Sequence, residues 1–458
     1  MFVSLCLLTG CQSEDKADLI LGTSADYPPF EYIKNGTVVG LDIDVAEKIA
    51  QQLDRKLIIK EMDFNSLIPA LKSKKVDFVM AGLSVSEERK KNVTFTTAYF
   101  ESKFSLLTLK KNQPILDLNS LANKKIGVQL GSVMESFLKE RSETIPNIQL
   151  ESLPKNIPLI QNLKLGRLDG VMVEDAQARA FVQANPELVA NYLPGGQGEY
   201  AIALHKNTPW LKGFNQAIEI LEQSGELEKI KNKWINLEQD IHQQSTMSWV
   251  LYIVKGTGVT LQYTFFAVSI GLLIGILLSL AKMSGNRMIT WPTKVYISIF
   301  RGTPLLLQLA FVYFAIPAMT GYDISIFVAG VSAFALNSAA YISEIIRAGI
   351  QSVDKGQFEA AKALGIPYRQ TMKDIILPQS FKNILPALVN ELVNMLKESA
   401  IISTIGAADL MKRAQVISAE QYSYFAPLLV AAACYYITVV ILTSIAHQLE
   451  RKLSTTTS

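Results

Sequence analysis

Hydrophobic residues are distributed differently in the two halves of this chain of 458 residues. In the first half, short apolar runs alternate with charged stretches, whereas long runs without a charged residue follow Lys255. Each long run could cross the hydrocarbon layer of a bilayer as a helix, which takes about 20 residues. The pattern therefore predicts a transmembrane domain over residues 248–453, with clear spans at residues 256–281, 302–322, 324–343 and 421–446.

A further candidate span covers residues 384–405, where Glu391, Lys397 and Glu398 interrupt the apolar pattern. Charged groups are costly at that depth unless they face other helices or a cavity. We include this segment as the fourth of about five membrane helices. Its three charged residues are expected to face the interior of the domain.

Basic residues are concentrated in the connections after the first and third spans and at the end of the chain. The positive-inside rule places such connections in the cytoplasm. The loop at residues 406–424 is then extracytoplasmic, although it contains Lys412 and Arg413, and so is the whole first half of this multi-pass membrane protein. The residues that set this orientation are Lys282, Arg287, Lys294, Arg347, Lys355, Lys362, Arg369, Lys373, Lys382, Arg451 and Lys452.

The N-terminal segment, residues 1–17, has a short apolar run that ends in Leu-Thr-Gly-Cys at Cys11. This resembles a truncated secretory signal with a lipoprotein cleavage site, in which Cys11 would be lipidated; the alternative is an uncleaved anchor. Only Cys6 and Cys434 remain, so we expect no disulfide framework. Residues 236–247 are polar and predict a tether, and residues 454–458 form a short tail.

Residues 18–235 read as alternating strands and helices, which predicts an α/β domain with mainly parallel sheets. In such sheets ligands bind beyond the carboxyl ends of the strands. Connectors at residues 110–114 and 194–199 suggest that the chain crosses twice between two lobes. The first lobe would comprise residues 18–110 and 197–235, the second residues 111–196, and the lobes could close over a ligand as hinged bodies.

Polar residues that follow the predicted strands match the carboxylate of a free amino acid. Arg89 offers a planar set of donors suited to bidentate contact with a carboxylate. The amides of Ser132 and Val133 open a predicted helix, whose N-terminus favours an anion. Taken alone, Arg89 would be read as a surface charge, but the strand and the serines before it favour a binding role.

A second group matches the ammonium and the side chain of such a ligand. Ser84 and the backbone of Gly82 can accept hydrogen bonds from an ammonium group, and Glu174 can balance its charge. Tyr27 and Phe64 can enclose a side chain between aromatic faces, unless they are ordinary core residues.

Three motifs in this half resemble those of a known family: SADYPPFE at residues 24–31, GLDID at 40–44 and DFNSLIPAL at 63–71. Residues 19–235 resemble the extracytoplasmic solute-binding proteins (family 3 type) of polar amino acid importers. The resemblance implies a two-lobed, type II periplasmic-binding-protein-like fold. It also implies a pocket formed by Tyr27, Phe64, Ala81, Gly82, Ser84, Arg89, Ser132, Val133 and Glu174.

Two departures from the family leave the cargo open. Glu174 stands where aspartate is commoner, with Asp175 one register step away, and Ser24 stands where aspartate is frequent. An acidic pocket edge slightly favours a basic ligand such as arginine, lysine or histidine, while glutamine or glutamate is the alternative. The residues expected at that edge are Asp26, Glu31, Asp42 and Glu101.

Residues 249–453 resemble the permeases of histidine, glutamate, glutamine, arginine or opine importers, which implies an all-α, type I importer domain. RGTP at 301–304 and NSAAY at 337–341 contribute to the resemblance. It also implies that a loop docks into an ATPase: small alanines would fit a cleft, the glycine would permit a turn, and Pro378 would end the second helix. This docking loop contains Glu359, Ala360, Ala361, Gly365, Leu377 and Pro378.

The sequence contains no Gly-x4-Gly-Lys-Ser/Thr motif, so we predict a transporter subunit rather than an enzyme, with ATP and Mg²⁺ on a separate cytoplasmic ATPase. One permease domain per chain suggests a homodimer, in which the charged residues of the fourth span could line the translocation path.

We expect no cofactor or metal on this chain, and the net charge of +3 gives no sign of nucleic-acid binding. The rival readings are a ligand-gated channel, a dehydratase on the same fold, and a receptor that only senses.

Overall fold

The structure is a computed structural model that describes residues 18–34, 36–112, 115–235 and 246–455. The signal-like segment with Cys11, most of the proposed tether and the last three residues of the tail lie outside these ranges.

The first half contains a mixed sheet and a small antiparallel sheet of β2, β3 and β4. The large sheet has the order β5-β1-β6-β11-β7-β10-β8-β9. The strands are β1 Leu19–Thr23, β2 Asp26–Tyr27, β3 Glu31–Lys34, β4 Thr37–Val39, β5 Leu57–Glu61, β6 Phe78–Val79, β7 Thr94–Leu109, β8 Lys125–Gln129, β9 Gln149–Leu153, β10 Gly170–Glu174 and β11 Leu188–Leu204.

Helices cover the sheet and then continue into the second half. Those of the first half are α1 Leu41–Gln52, α2 Phe64–Lys72, α3 Glu87–Lys90, α4 Val133–Arg141, α5 Asn156–Lys164, α6 Asp175–Ala184, α7 Leu211–Gln223 and α8 Glu226–Ile235. Those of the second half are α9 Thr246–Met283, α10 Arg287–Gly302, α11 Leu305–Ala310, α12 Ile316–Thr320, α13 Ile326–Gln351, α14 Lys355–Ala363, α15 Tyr368–Gln370, α16 Leu377–Glu398, α17 Leu410–Glu420 and α18 Phe425–Thr455.

The long strands β7 and β11 run antiparallel to each other and join two lobes. Tyr99 and Tyr200 pack in the core of the first lobe, whereas Phe104 and Leu106 belong to the core of the second. The first crossing therefore lies near Ser102, inside β7, and not in the predicted connector at residues 110–114, of which 113 and 114 lie outside the described ranges. The β-forming run Phe-Ser-Leu-Leu-Thr-Leu explains the shift, because it extends the strand into the second lobe.

The parallel strands that the sequence predicted are present on both sides of this crossing. β1 pairs in parallel with β5 and β6, and β8 pairs in parallel with β9 and β10. The two-lobed α/β fold is thus confirmed, and the strand ends of both lobes face one cleft.

Three helices of the second half are long and apolar enough to cross a membrane: α9 from Met247, α13, and α18 up to Gln448. Helix α10 and the helical segment Leu305–Thr320 form a bent pair at 106°, which could be one broken span. The predicted span at residues 302–322 therefore begins only after a bend, and α9 begins well before the predicted residue 256. Helix α10 was missed in the sequence because its basic residues interrupt the apolar run.

The bend is held by the polar side chains of Gln308 and of Asn337, which opens the motif NSAAY. Gln308 donates to the carbonyl oxygen of Phe300 at 2.9 Å, and Asn337 donates to the same oxygen at 3.1 Å. Ser338 donates to Glu391 on α16 at 2.8 Å. Of the three charged residues expected to face the interior, Glu391 therefore contacts a neighbouring helix, whereas Lys397 and Glu398 are exposed, and for them the expectation was wrong.

The first half rests on one end of these helices. The buried Lys75 donates to Asp323 at 2.7 Å and to the carbonyl of Ile324 at 2.8 Å. Gly406 has a φ of 92°, and a Cβ atom there would overlap the carbonyl oxygen of Glu61. The loop at residues 406–424, which contains α17, thus lies at the same end of the helices as the two lobes.

Candidate functional site

A cleft between the lobes brings together most of the predicted ligand-binding residues. Nine of the ten line it, and Glu174 alone stands behind the lining, next to Val173. The ligand-binding roles of these residues stay a prediction. The lining consists of Ser24, Asp26, Tyr27, Glu31, Phe64, Ala81, Gly82, Ser84, Arg89, Gln129, Ser132, Val133, Met134, Asn156, Met172, Val173 and Tyr200.

Arg89 connects the two lobes across the cleft. It lies in the short helix α3, where Ser86 caps the helix by accepting from the Arg89 amide at 3.2 Å. Its guanidinium donates to the carbonyl oxygens of Ser84, at 2.7 Å, and of Gly131 in the other lobe, at 2.8 Å. The group stands over the Phe64 ring at 5.5 Å, and burial lowers its pKa to about 10. Because a pKa of about 10 lies well above neutral pH, the guanidinium stays charged and can bind a carboxylate.

The N-terminus of α4 faces the same cleft. Ser132 is the N-cap residue, and its hydroxyl accepts from the amide of Glu135 at 3.2 Å. The Ser132 amide itself donates to the carbonyl of Gln129 at 3.1 Å, in a turn. An anion that takes this amide, as the sequence predicted, would have to compete with that turn.

Glu174 ends β10 and is the N-cap of α6. Its carboxylate accepts from the amides of Ala176, at 2.7 Å, and Gln177, at 3.2 Å. Burial nevertheless raises the pKa of Glu174 to about 8, and burial together with the Glu174 carboxyl raises the pKa of Tyr27. Glu174 is thus the acid that lies behind the lining, next to Tyr27 on the aromatic side of the cleft.

Asp175, the alternative to Glu174, points elsewhere. It accepts from the hydroxyl of Ser105 at 2.9 Å and pairs with Arg179 at 3.0 Å. The register question that the sequence left open is therefore answered by these contacts, which occupy Asp175 away from the cleft lining.

The predicted acidic edge is only half present. Glu101 is exposed on β7 and does not line the cleft, so its inclusion was wrong. Asp42 is buried behind the cleft, where it accepts from the Tyr99 hydroxyl and the Gly82 amide, both at 2.8 Å. Asp26 and Glu31 do line the cleft.

Asp26 and Glu31 differ in their partners. Asp26 accepts from Ser24 at 3.1 Å and pairs with Lys155 of the second lobe at 2.7 Å. Glu31 is completely buried, and its carboxyl group has the Asp42 carboxyl as a close neighbour. Burial, and the nearby Asp42, raise the pKa of Glu31 well above its usual value.

Several cleft residues were missed by the sequence analysis. Tyr200 reaches the cleft from β11 and lies 5.1 Å from the Phe30 ring, and Gln129, Asn156 and Met172 come from the second lobe. Lys155, just before α5, is not part of the lining but pairs with the cleft residue Asp26. Position at a strand end was a usable signal for Gln129, which ends β8, and for Lys155 and Asn156, which follow β9, whereas Tyr200 and Met172 lie inside strands.

The predicted ATPase-docking loop is a helical hairpin at the far end of the membrane helices. Helix α13 separates it from the end near Asp323 by about 40 Å, at 1.5 Å per residue. Glu359 and Ala360 are exposed on α14, whereas Ala361 is buried, and Gly365 turns the chain with a φ of 71°.

We had expected Pro378 to end the second helix, but the helix continues through it. The segment Thr371–Ile376 is π-helical and continues into α16, with Leu377 and Pro378 in its first turn. The change of hydrogen-bond register at this point removes the need for the N–H group that proline lacks. Two large apolar side chains of the hairpin, Leu364 and Tyr368, are 77% and 70% exposed.

These features define a two-lobed solute receptor joined in one chain to a helical membrane domain. Residues 19–237 match the bacterial extracellular solute-binding proteins, family 3. Residues 271–455 match the inner membrane component of binding-protein-dependent transport systems. The chain belongs to both families, as a fusion of a receptor and a permease.

Relatives cover each half separately. The permease half is 57% identical over 204 residues to a protein of Rickettsia bellii (strain RML369-C) named as a glutamine transport system permease protein, GlnP, covering 44% of this chain and 94% of that protein. It is 52% identical over 209 residues to the arginine transport system permease protein ArtQ of Bacillus subtilis (strain 168), covering 46% and 95%. The receptor half is similar to the arginine-binding extracellular protein ArtP of the same organism, at 37% identity over 251 residues, covering 52% and 98%.

Proposed function

We propose that this chain is the receptor and membrane-spanning subunit of an ATP-binding-cassette importer for a polar amino acid. The observation that carries the proposal is Arg89, which bridges the two lobes beside a helix N-terminus at the cleft. The α-carboxylate would bind Arg89 in place of one of its two carbonyl partners. The chain acts as a transporter subunit, not as an enzyme.

A basic cargo, such as arginine, lysine or histidine, is the first candidate. Glu31 supports it, because a buried carboxyl group beside a second carboxyl group, that of Asp42, would gain most from a cationic donor. The name of the receptor-like relative, an arginine-binding protein, points the same way.

Glutamine or glutamate is the second candidate, and a specific contact favours it. Lys155 already neutralises Asp26, so that carboxylate is not free for a ligand cation. The amide of Gln129 lines the same cleft and would suit a neutral side chain. The permease relative with the glutamine name supports this alternative.

The energy source in this proposal is a separate cytoplasmic ATPase that binds the hairpin around Gly365. Two copies of the chain would form the permease, because each provides a single membrane domain. The receptor half would lie on the extracytoplasmic side, which agrees with its position at the end of the helices opposite the hairpin. Lipidation of Cys11 would add a second membrane attachment.

Ligand binding should release a proton near pH 7. The Glu174 pKa of about 8 means that this carboxyl group is largely protonated in the empty cleft. An arriving ammonium group favours the charged form and lowers that pKa, so the complex holds fewer protons and affinity rises with pH until about pH 8. Calorimetry in buffers of different ionisation enthalpy measures this release, which Glu174→Gln should abolish. Equal proton release in the unmodified chain and the variant would contradict the assignment.

A thermal-unfolding screen of the full chain against the twenty amino acids tests the proposed function. A ligand at 100 times its dissociation constant stabilises the folded state by about 2.7 kcal/mol. A shift with arginine, lysine or histidine supports the basic cargo, and a shift with glutamine or glutamate supports the alternative. If no amino acid changes the unfolding temperature, the amino acid cargo is wrong.

A further inference from the structure

A second cavity adjoins the ligand cleft and lies between the receptor and the permease. Its receptor wall includes Asp63 and Lys155, and its permease wall includes Leu306 and Ala310. Four residues line both cavities and so form the partition between them: Ser24, Asp26, Phe64 and Gln129. A solute that leaves the cleft past this partition would arrive directly against the permease.

Lys155 ties the two lobes together at this partition. It comes from the second lobe, and its ammonium lies 2.7 Å from Asp26 and 3.5 Å from Asp63, both in the first lobe. Its side chain is only 16% exposed. Although burial acts in the opposite direction, the carboxylates of Asp26 and Asp63 raise its pKa above the usual value, so the tie is an ion pair.

The permease offers alternative partners for both sides of this tie. Gln415 on α17 accepts from the ammonium of Lys155 at 3.2 Å. Lys412, one turn earlier, pairs with Glu61 at 2.5 Å and lies 3.8 Å from Asp63. Asp63 is thus shared between the receptor's own lysine and a lysine of the permease, which is itself only 4% exposed.

The contacts with the permease matter because a largely buried ion pair such as Lys155–Asp26 is difficult to open. Removing one partner leaves an uncompensated charge, which is strongly destabilising. Here Lys412 can compensate Asp63, and Gln415 can accept from Lys155, while the lobes separate. The permease helix therefore lowers the cost of opening the partition.

We propose that Asp26, Asp63 and Lys155 form an ionic latch between the ligand cleft and the second cavity, and that Lys412 and Gln415 of the permease open it. The proposal rests on the proposed function, since it assumes that a solute passes from receptor to permease. Lys412 and Gln415 act as positioning residues: they would change the rate at which the cleft releases its ligand without touching that ligand.

Two sets of variants that should change the rate of ligand release in opposite directions test the latch. Dissociation of radiolabelled L-arginine and of L-glutamine is measured from the full chain in lipid nanodiscs. Lys412→Met, and separately Gln415→Leu, should slow release about fivefold, because the permease no longer competes for the latch. The double variant Asp26→Asn/Lys155→Met removes both charges of the tie and should accelerate release about tenfold.

Whether the effects of the variants on the release rate add shows whether Lys412 acts through the latch or directly on the ligand. Once the tie is absent, adding Lys412→Met should change the release rate no further. The matched control is Lys164→Met/Glu187→Gln, which removes a 2.9 Å ion pair confined to the second lobe and should leave release unchanged. Lys155→Arg, which keeps the charge, should retain the slow release.

The outcomes distinguish the latch from the function on which it rests. If both amino acids bind but Lys412→Met and Gln415→Leu leave release unchanged or make it faster, the latch is wrong and the receptor function stands. If none of the twenty amino acids binds the unmodified chain, the proposed function fails and the latch with it.

Discussion

Replacement of Arg89 by alanine should lower the affinity for the amino acid cargo by about 100-fold, or about 3 kcal/mol. The guanidinium is the group placed to meet the ligand carboxylate, and its loss would leave that carboxylate desolvated without a charged partner. The variant also loses the contact to Gly131 in the second lobe, so closure should weaken as well. Titration of the full chain with its ligand, followed by thermal unfolding, measures both effects.

Arg179→Ala is the matched control for this experiment. Arg179 pairs with Asp175 on a surface of the second lobe, and its side chain is 58% exposed. It should bind ligand like the unmodified chain. Similar losses in both variants would mean that Arg89 acts on folding and not on the ligand.

Replacement of Leu364 by aspartate should abolish uptake while the receptor half still binds its ligand. This leucine caps the end of α14 before Gly365, and a large exposed apolar side chain at that place suits burial in an ATPase cleft. Loss of such an interface residue costs about 2–4 kcal/mol, which weakens ATPase binding roughly 30- to 1,000-fold. Cargo uptake by cells that carry the chain and its ATPase, together with ligand affinity, checks both halves of this expectation.

The receptor half contains a close structural counterpart of Leu364. Leu165 ends α5 in the same helical conformation, is 65% exposed and precedes Gly166, whose φ of 70° matches the 71° of Gly365. Leu165→Asp carries the same local cost and should transport normally. If Leu165→Asp and Leu364→Asp reduce uptake alike, the hairpin has no special role in coupling.

Much of the site could be predicted because it follows a local rule. Ligand residues in parallel sheets follow strand ends, and this rule located Ser84, Arg89 and Ser132 from short motifs alone. The rule did not show that Glu174 lies behind the lining, where its carboxylate caps α6 by accepting from the amides of Ala176 and Gln177.

What the sequence did not predict depends on long-range contacts. Tyr200 enters the site because β11 returns to the first lobe, and Lys155 of the second lobe reaches Asp26 because the two lobes meet. Glu101 was misassigned for the same reason, since its face depends on where β7 crosses between lobes. In the membrane domain, the bend before Leu305 is held in part by Asn337, which lies much later in the sequence, on α13.

The most direct test of the central claim is transport by the chain itself. Proteoliposomes containing the full chain and its ATPase are loaded with ATP, and the radiolabelled amino acid that stabilises the receptor is added on the receptor side. We expect ATP-dependent accumulation of that amino acid, and none with Arg89→Ala at the same ligand concentration. Tight ligand binding without accumulation, despite ATP hydrolysis by the complex, would contradict the account, because the chain would then be a receptor that does not feed its own permease.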